Sequence, residues 1–164
     1  MSIAESMLPE FDHEAASTRK ILEAIPNDKL SFKPHEKSCP MDQLLTHLVT
    51  IPEWGAETLN TESLDMTGFT PPPAVKSKEE AIALFEKNSS KARAAIAGAK
   101  DDAWFKNWSL SGNGQTFFTM PRIAVMRSFV FNHAIHHRAQ LAMYLRLAGA
   151  RVPGMHGPSA DETM

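Results

Sequence analysis

Phe131-Asn132-His133-Ala134-Ile135-His136-His137-Arg138-Ala139-Gln140 carries three of the chain's seven histidines inside its longest helical pattern. His133 and His137 are four apart, so on a helix they share one face, about 40° apart around the axis. Two imidazoles so placed can grip one metal ion. Outward from this stretch, Ile123, Met126, Val130, Leu141, Tyr144 and Ala148 join the pair at steps of three and four. That is the inward stripe of a bundle helix over residues 120–148, with Gly149 as its C-terminal cap. The histidines stand where leucine or valine is expected. Polar rings facing a core cost stability unless hydrogen bonds or a metal satisfy them, and spacing alone leaves both readings open.

Three further helical patterns precede this one. Residues 2–25 show Met7, Phe11, Ala15, Thr18, Leu22 and Ile25 on one face, with His13 off it as a surface residue. Residues 39–62 show Leu44, His47, Ile51, Trp54 and Thr58, so His47 also points inward. Ser38 is the expected N-cap there, and Pro52 should kink the helix just after His47 by removing the bond to the Leu48 carbonyl. Glu53 and Glu57 share that helix as surface residues. Residues 77–99 open at Ser77, with Glu79 and Glu80 in a first turn that favours negative charge. The connection Ser31–Ser38 is kept from being helical throughout by Pro34 and Pro40, and His35 in it reads as a hydrogen-bonding residue. Gly112-Asn113-Gly114, flanked by Trp104, Trp108, Phe117 and Phe118, predicts a short hairpin or ordered loop before the last helix. These aromatics read as tucked onto the bundle. Residues 150–164 have no periodicity. The expectation is one domain, residues 1–164, of all-α class: a four-helix bundle.

Composition narrows the function. The chain has 164 residues, 43% hydrophobic and 22% charged, as a soluble globular domain would. The net charge of -2, with no run of five like charges, gives no basic footprint for nucleic acid. Glu5, Glu10, Asp12 and Glu14 near the N-terminus do not resemble a signal peptide, and no stretch of about 18 apolar residues predicts a membrane span. A cytoplasmic location is the expectation. The single cysteine, Cys39, can form no internal disulfide and reads as a half-buried structural residue. If the helices bearing His47 and His133 are neighbours, three imidazoles meet at one level. Such a set suits zinc, nickel, copper or iron better than magnesium or calcium, and leaves a position open as in catalytic zinc sites.

Several segments together resemble the DinB family. They are Ser31-Phe32-Lys33-Pro34-His35-Glu36-Lys37-Ser38, Leu44-Leu45-Thr46-His47-Leu48 with Trp54, and Asn132 through Leu141 with Leu145-Arg146. The tail from Val152-Pro153-Gly154 to Gly157-Pro158-Ser159-Ala160-Asp161 is similar too. The resemblance implies a DinB-type bundle, often a homodimer, with a divalent metal (zinc, nickel or iron) held by His47, His133 and His137. Relatives of such bundles include transferases and isomerases that use low-molecular-weight thiols. Two positions depart from the family: Ala139 stands where glycine is usual, and His156 where tyrosine is common. A tail folded over the site would make His156 a fourth ligand or an acid/base group; a surface substitution is the plainer reading. His136 reads as an outer-layer or interface residue, and Arg138 and Gln140 as holding the helix against its neighbours. The leading expectation is a metal-dependent transferase or hydrolase acting on a small molecule, with a thiol as candidate cosubstrate. The alternatives are a non-catalytic metal-binding stress or dimeric interaction protein, and a metal-free bundle with hydrogen-bonded histidines.

Overall fold

A computed structural model describes residues 1–162. Helix α1, Ile3–Glu23, starts in a capping box: Ser2 Oγ accepts from Glu5 N–H, and the Glu5 carboxylate accepts from Ser2 N–H. A 3₁₀ turn, Asn27–Lys29, follows. Helix α2, Met41–Asn60, begins after Pro40 rather than Ser38, with no side-chain cap, and runs on through Pro52. Helix α3, Lys78–Gly98, is capped by Ser77 as expected, its Oγ accepting from Glu80 N–H at 3.1 Å. The short α4, Asp101–Trp104, leads to strands β2, Asn107–Gly112, and β3, Gln115–Pro121.

The all-α expectation is corrected here, because a three-stranded sheet sits beside the helices in the order β1 (Ser63–Asp65), β2, β3. The β2–β3 hairpin is the one Gly112-Asn113-Gly114 predicts. Asn113 and Gly114 have φ of 51° and 75°, the positive values a two-residue type I′ turn requires. Strand β1, Ser63–Asp65, pairs parallel to β2 with Leu64 opposite Leu110. Three residues are too few to show alternation, so the sequence gives no sign of it. The sheet is tied to the end of α2: Trp108 Nε1 donates to Thr61 Oγ1 at 3.0 Å, and Arg122 donates to the Thr61 carbonyl at 2.7 Å. Trp104 and Trp108 are fully buried and Phe118 partly so, but Phe117 is 54% exposed, so the four aromatics are not all tucked in as the sequence suggests. A methyl group at Gly114 would meet nothing within 4 Å, so Gly114→Ala isolates backbone strain. It should cost about 1 kcal/mol; an unchanged denaturation midpoint would contradict the turn geometry.

The last helical segment is interrupted. Helix α5, Arg122–Val125, passes into a π-helical turn, Met126–Phe131, and then into α6, Asn132–Leu147. A π turn widens the helix by one residue and shifts the faces that follow it. Val125 is buried before it, Met126, Val130 and Phe131 within it, and Arg138, Leu141 and Leu145 beyond it. The predicted straight stripe through His133 and His137 is therefore wrong by part of a turn, and both rings sit half-buried at the edge of the core. Gly149 follows the cap residue Ala148, and the N–H groups of Gly149 and Ala150 close the helix on the Arg146 and Leu145 carbonyls. Gly55 lets α2 approach this segment, since a Cβ there would stand 3.3 Å from Met126 Cε. The tail is irregular through residue 162, as expected, and is pinned by Asp161, which accepts from Arg146 and from Val152 N–H. Residues 163 and 164 lie outside the described residues. No helix described is long and apolar enough to cross a membrane.

Candidate metal centre

Helices α2 and α6 are neighbours, and the three predicted histidines meet between them. His133 Nε2 lies 3.1 Å from His47 Nε2 and 2.8 Å from His137 Nε2. One nitrogen of each ring lies within 4.8 Å of the others. The cluster is not inside the core, as the sequence suggests, but at its margin: His47 is exposed and the other two half-buried.

The outer nitrogens have partners of their own. His133 Nδ1 faces the Phe129 carbonyl at 3.3 Å, and a carbonyl only accepts. His137 Nδ1 faces Gln140 Oε1 at 2.7 Å. With the proton of each neutral ring on Nδ1, the two Nε2 atoms, 2.8 Å apart, turn their lone pairs toward one point, where a cation could be shared. The rings are also held neutral. Burial, and then the charges of His47, His133 and His136, push His137 down to about 4, outweighing its bond to Gln140. Burial, then His133, lowers His47. Burial lowers His133 as well, against the opposing bond to Phe129. The folded state therefore binds fewer protons here than the unfolded chain. This contribution to stability is complete above the ordinary value of 6.5 and is lost as pH falls toward about 4. Denaturation of metal-free protein should show that loss as the difference between the wild-type and His137→Ala pH profiles; parallel profiles would refute it.

A cavity of about 880 Å³ opens on His47 and His137, with Trp54, Phe69 and Tyr144 in its walls. Cys39 reaches the same space. It is exposed rather than half-buried, because the non-helical residues before Pro40 hold it outside the core. Its Sγ lies 3.9 Å from Tyr144 Oη, which donates to the Cys39 carbonyl at 3.0 Å. Trp54 is likewise a wall residue, partly buried, and not a core one.

The remaining histidines lie apart from the cluster or add nothing to it. His136 is exposed and supplies no nitrogen to the group. His35 Nδ1 accepts from Lys37 N–H at 3.1 Å, the hydrogen-bonding role expected of it. His13 is exposed, as expected. His156 is no fourth ligand: it packs near His13 and accepts from Arg138 at 3.0 Å. Arg138 is the residue the sequence undervalues. It is 1% exposed, pairs with the Glu14 carboxylate, and donates to the Glu14 carbonyl at 2.9 Å and Thr18 Oγ1 at 3.2 Å. Its spacing of three and seven before Leu141 and Leu145 is the signal that marks it as inward. His13, Glu14 and His156 offer a second group of metal-capable atoms, but the Arg138 cation already holds Glu14 and His156. Glu53 is exposed and faces Lys91 at 3.5 Å, a surface role.

Known proteins share this arrangement of helices. The sequence model of the DinB family matches residues 1–163. The chain is 24% identical over 158 residues to the uncharacterized protein YrdA of Bacillus subtilis strain 168, covering 96% of this chain and 90% of that one. A DinB-like crystal structure from Bacillus cereus superposes with a TM-score of 0.73 at 22% identity, covering 93% of this chain and 97% of the other. The DinB-like protein YjoA of Bacillus subtilis gives 0.71 at 18% identity, covering 92% and 97%. At those identities the two structures speak for the fold.

Proposed function

The chain belongs to the DinB family, and from that premise we propose that it is a divalent-metal-dependent enzyme, a transferase or hydrolase acting on a small molecule. His47, His133 and His137 are the proposed ligands of zinc, nickel or iron. The observation that carries this reading is the convergence of three imidazole rings, with His133 Nε2 lying 2.8 Å from His137 Nε2 and 3.1 Å from His47 Nε2. The donor set fits one. Separations of 2.8 and 3.1 Å are close to the roughly 3 Å edges formed by nitrogens bound at about 2.0–2.1 Å to one ion. Neutral imidazoles are the ligating form, and an all-nitrogen set suits these transition metals.

Such an ion supplies Lewis acidity, lowering the pKa of a water or thiol brought to it. The chain's own residues do the rest. Gln140 accepts from His137 Nδ1 and so holds the ring's tautomer and orientation. The Phe129 carbonyl does the same for His133. The cavity beside His47 and His137 is large enough for a small molecule. An open approach of this kind supports an enzyme over a protein whose metal only fastens two helices. Met143 and Leu147, exposed on α6, are compatible with the homodimer implied by the resemblance.

Gln140→Leu should weaken metal affinity by about 10–100-fold, the usual effect of losing an outer hydrogen bond to a ligating histidine. Competition with a metal-responsive dye measures this, and unchanged affinity would remove Gln140 from the scheme. The function itself is tested by elemental analysis of stripped and reloaded protein, followed by a screen of biological thiols against small electrophiles. About one ion per chain with metal-dependent turnover is expected. Absence of bound metal after reloading would end the proposal.

A further inference from the structure

The walls of the large cavity carry a chemical preference of their own. Among the described residues, no Asp, Glu, Lys or Arg side chain lines it. Glu53 faces Lys91 at 3.5 Å, and Arg138 pairs with Glu14 of α1. Trp54, Phe69, Pro72 and Tyr144 form much of its surface, with neutral polar groups on Gln43 and Thr50. Phe69, on the rim, is 56% exposed and so is held by little else. Beyond Trp54 a second hollow of about 370 Å³ includes Glu53, Glu57 and Asp65, which repel an anion extending that way.

An anionic group in this space would give up water and gain no countercharge from the walls. A planar apolar body would instead cover aromatic faces that stand partly open. We propose that the cavity selects an uncharged, planar, largely apolar substrate, and disfavours phosphorylated or carboxylated ones. The proposal names the substrate class of the enzyme above, and rests on that reading for the placing of the reacting end at the histidines. A divalent ion held by His47, His133 and His137 would supply charge at the reacting end, while among the described residues the cavity walls carry no charged side chain and the aromatic ones would hold the remainder.

Two matched probes test it: 2-naphthylmethanol, which is neutral, and 2-naphthoate, its anionic counterpart. Binding to the full chain is measured by titration calorimetry, first without metal, because a carboxylate could reach a bound ion, and then after reloading. Metal-free protein should bind the alcohol at least about ten-fold more tightly than the carboxylate, a difference of about 1.4 kcal/mol. Trp54→Ala and Phe69→Ala should each erode that binding, and Phe69, being exposed, can be removed without unfolding the chain. Equal or tighter binding of 2-naphthoate to metal-free protein would overturn the proposal, as would alcohol binding indifferent to both substitutions or no alcohol binding at all. The preference is read without metal, so its failure is distinct from a failure to load an ion.

Discussion

His137→Ala protein, stripped and reloaded, should retain no stoichiometric metal, while the unsubstituted chain takes up about one ion per chain. His137 is the most demanding member of the group to replace. It supplies one of the two facing lone pairs and carries its own orienting partner in Gln140. Its removal leaves His47 and His133, a two-nitrogen set, and the loss should exceed the roughly 10–100-fold expected from an outer hydrogen bond. The same substitution should not harm the metal-free fold, because the ring is half-buried at the edge of the core. Metal-free His137→Ala is therefore expected to melt no lower than metal-free wild type. Addition of metal at about 100 times its dissociation constant should stabilise wild type by about 2.7 kcal/mol and the variant hardly at all. Stoichiometric metal in the variant would refute the ligand assignment, and a collapsed metal-free fold would show that the ring is part of the core packing.

The histidine cluster could be read in the sequence because its parts obey simple helical spacing. His133 and His137 stand four positions apart, and each of the two helices carries enough apolar residues to be recognised. Which way the rings face could not be read. That depends on the π turn over Met126–Phe131, whose extra residue displaces the face of α6 and brings Arg138 into the core while moving the histidines to its margin. A periodicity count across such a turn averages two registers into one. The hairpin was legible because Asn113-Gly114 has the backbone freedom its turn demands. Strand β1 was not, because its three residues gain their partner, β2, from more than forty positions away. Cys39 was misjudged for a related reason: its exposure follows from the path of the segment before Pro40, which local pattern does not determine.

Glu14→Ala should be the most destabilising single change of those considered, costing about 3–5 kcal/mol, because it strands a buried cation. The Arg138 side chain is 2% exposed, and Glu14 14%. Its guanidinium joins three parts of the chain: Glu14 and Thr18 on α1, its own helix α6, and His156 in the tail. Without the Glu14 carboxylate, the carbonyl, hydroxyl and imidazole acceptors remain, but none is an anion. At about 2–4 °C per kcal/mol for a chain of this size, the melting temperature should fall by roughly 6–20 °C. The pair need not be favourable relative to apolar residues. Glu14→Leu combined with Arg138→Met removes both charges and should recover much of the loss, since a buried ion pair often contributes little beyond what good packing supplies. A loss below about 1 kcal/mol in Glu14→Ala would mean that the cation finds water, contrary to its burial. Measured below its melting point, Glu14→Ala should still bind metal, because Arg138 meets Glu14 where α6 faces α1, whereas the proposed ligands lie between α2 and α6. Loss of the ion with the fold intact would instead make this buried pair part of the metal centre's support.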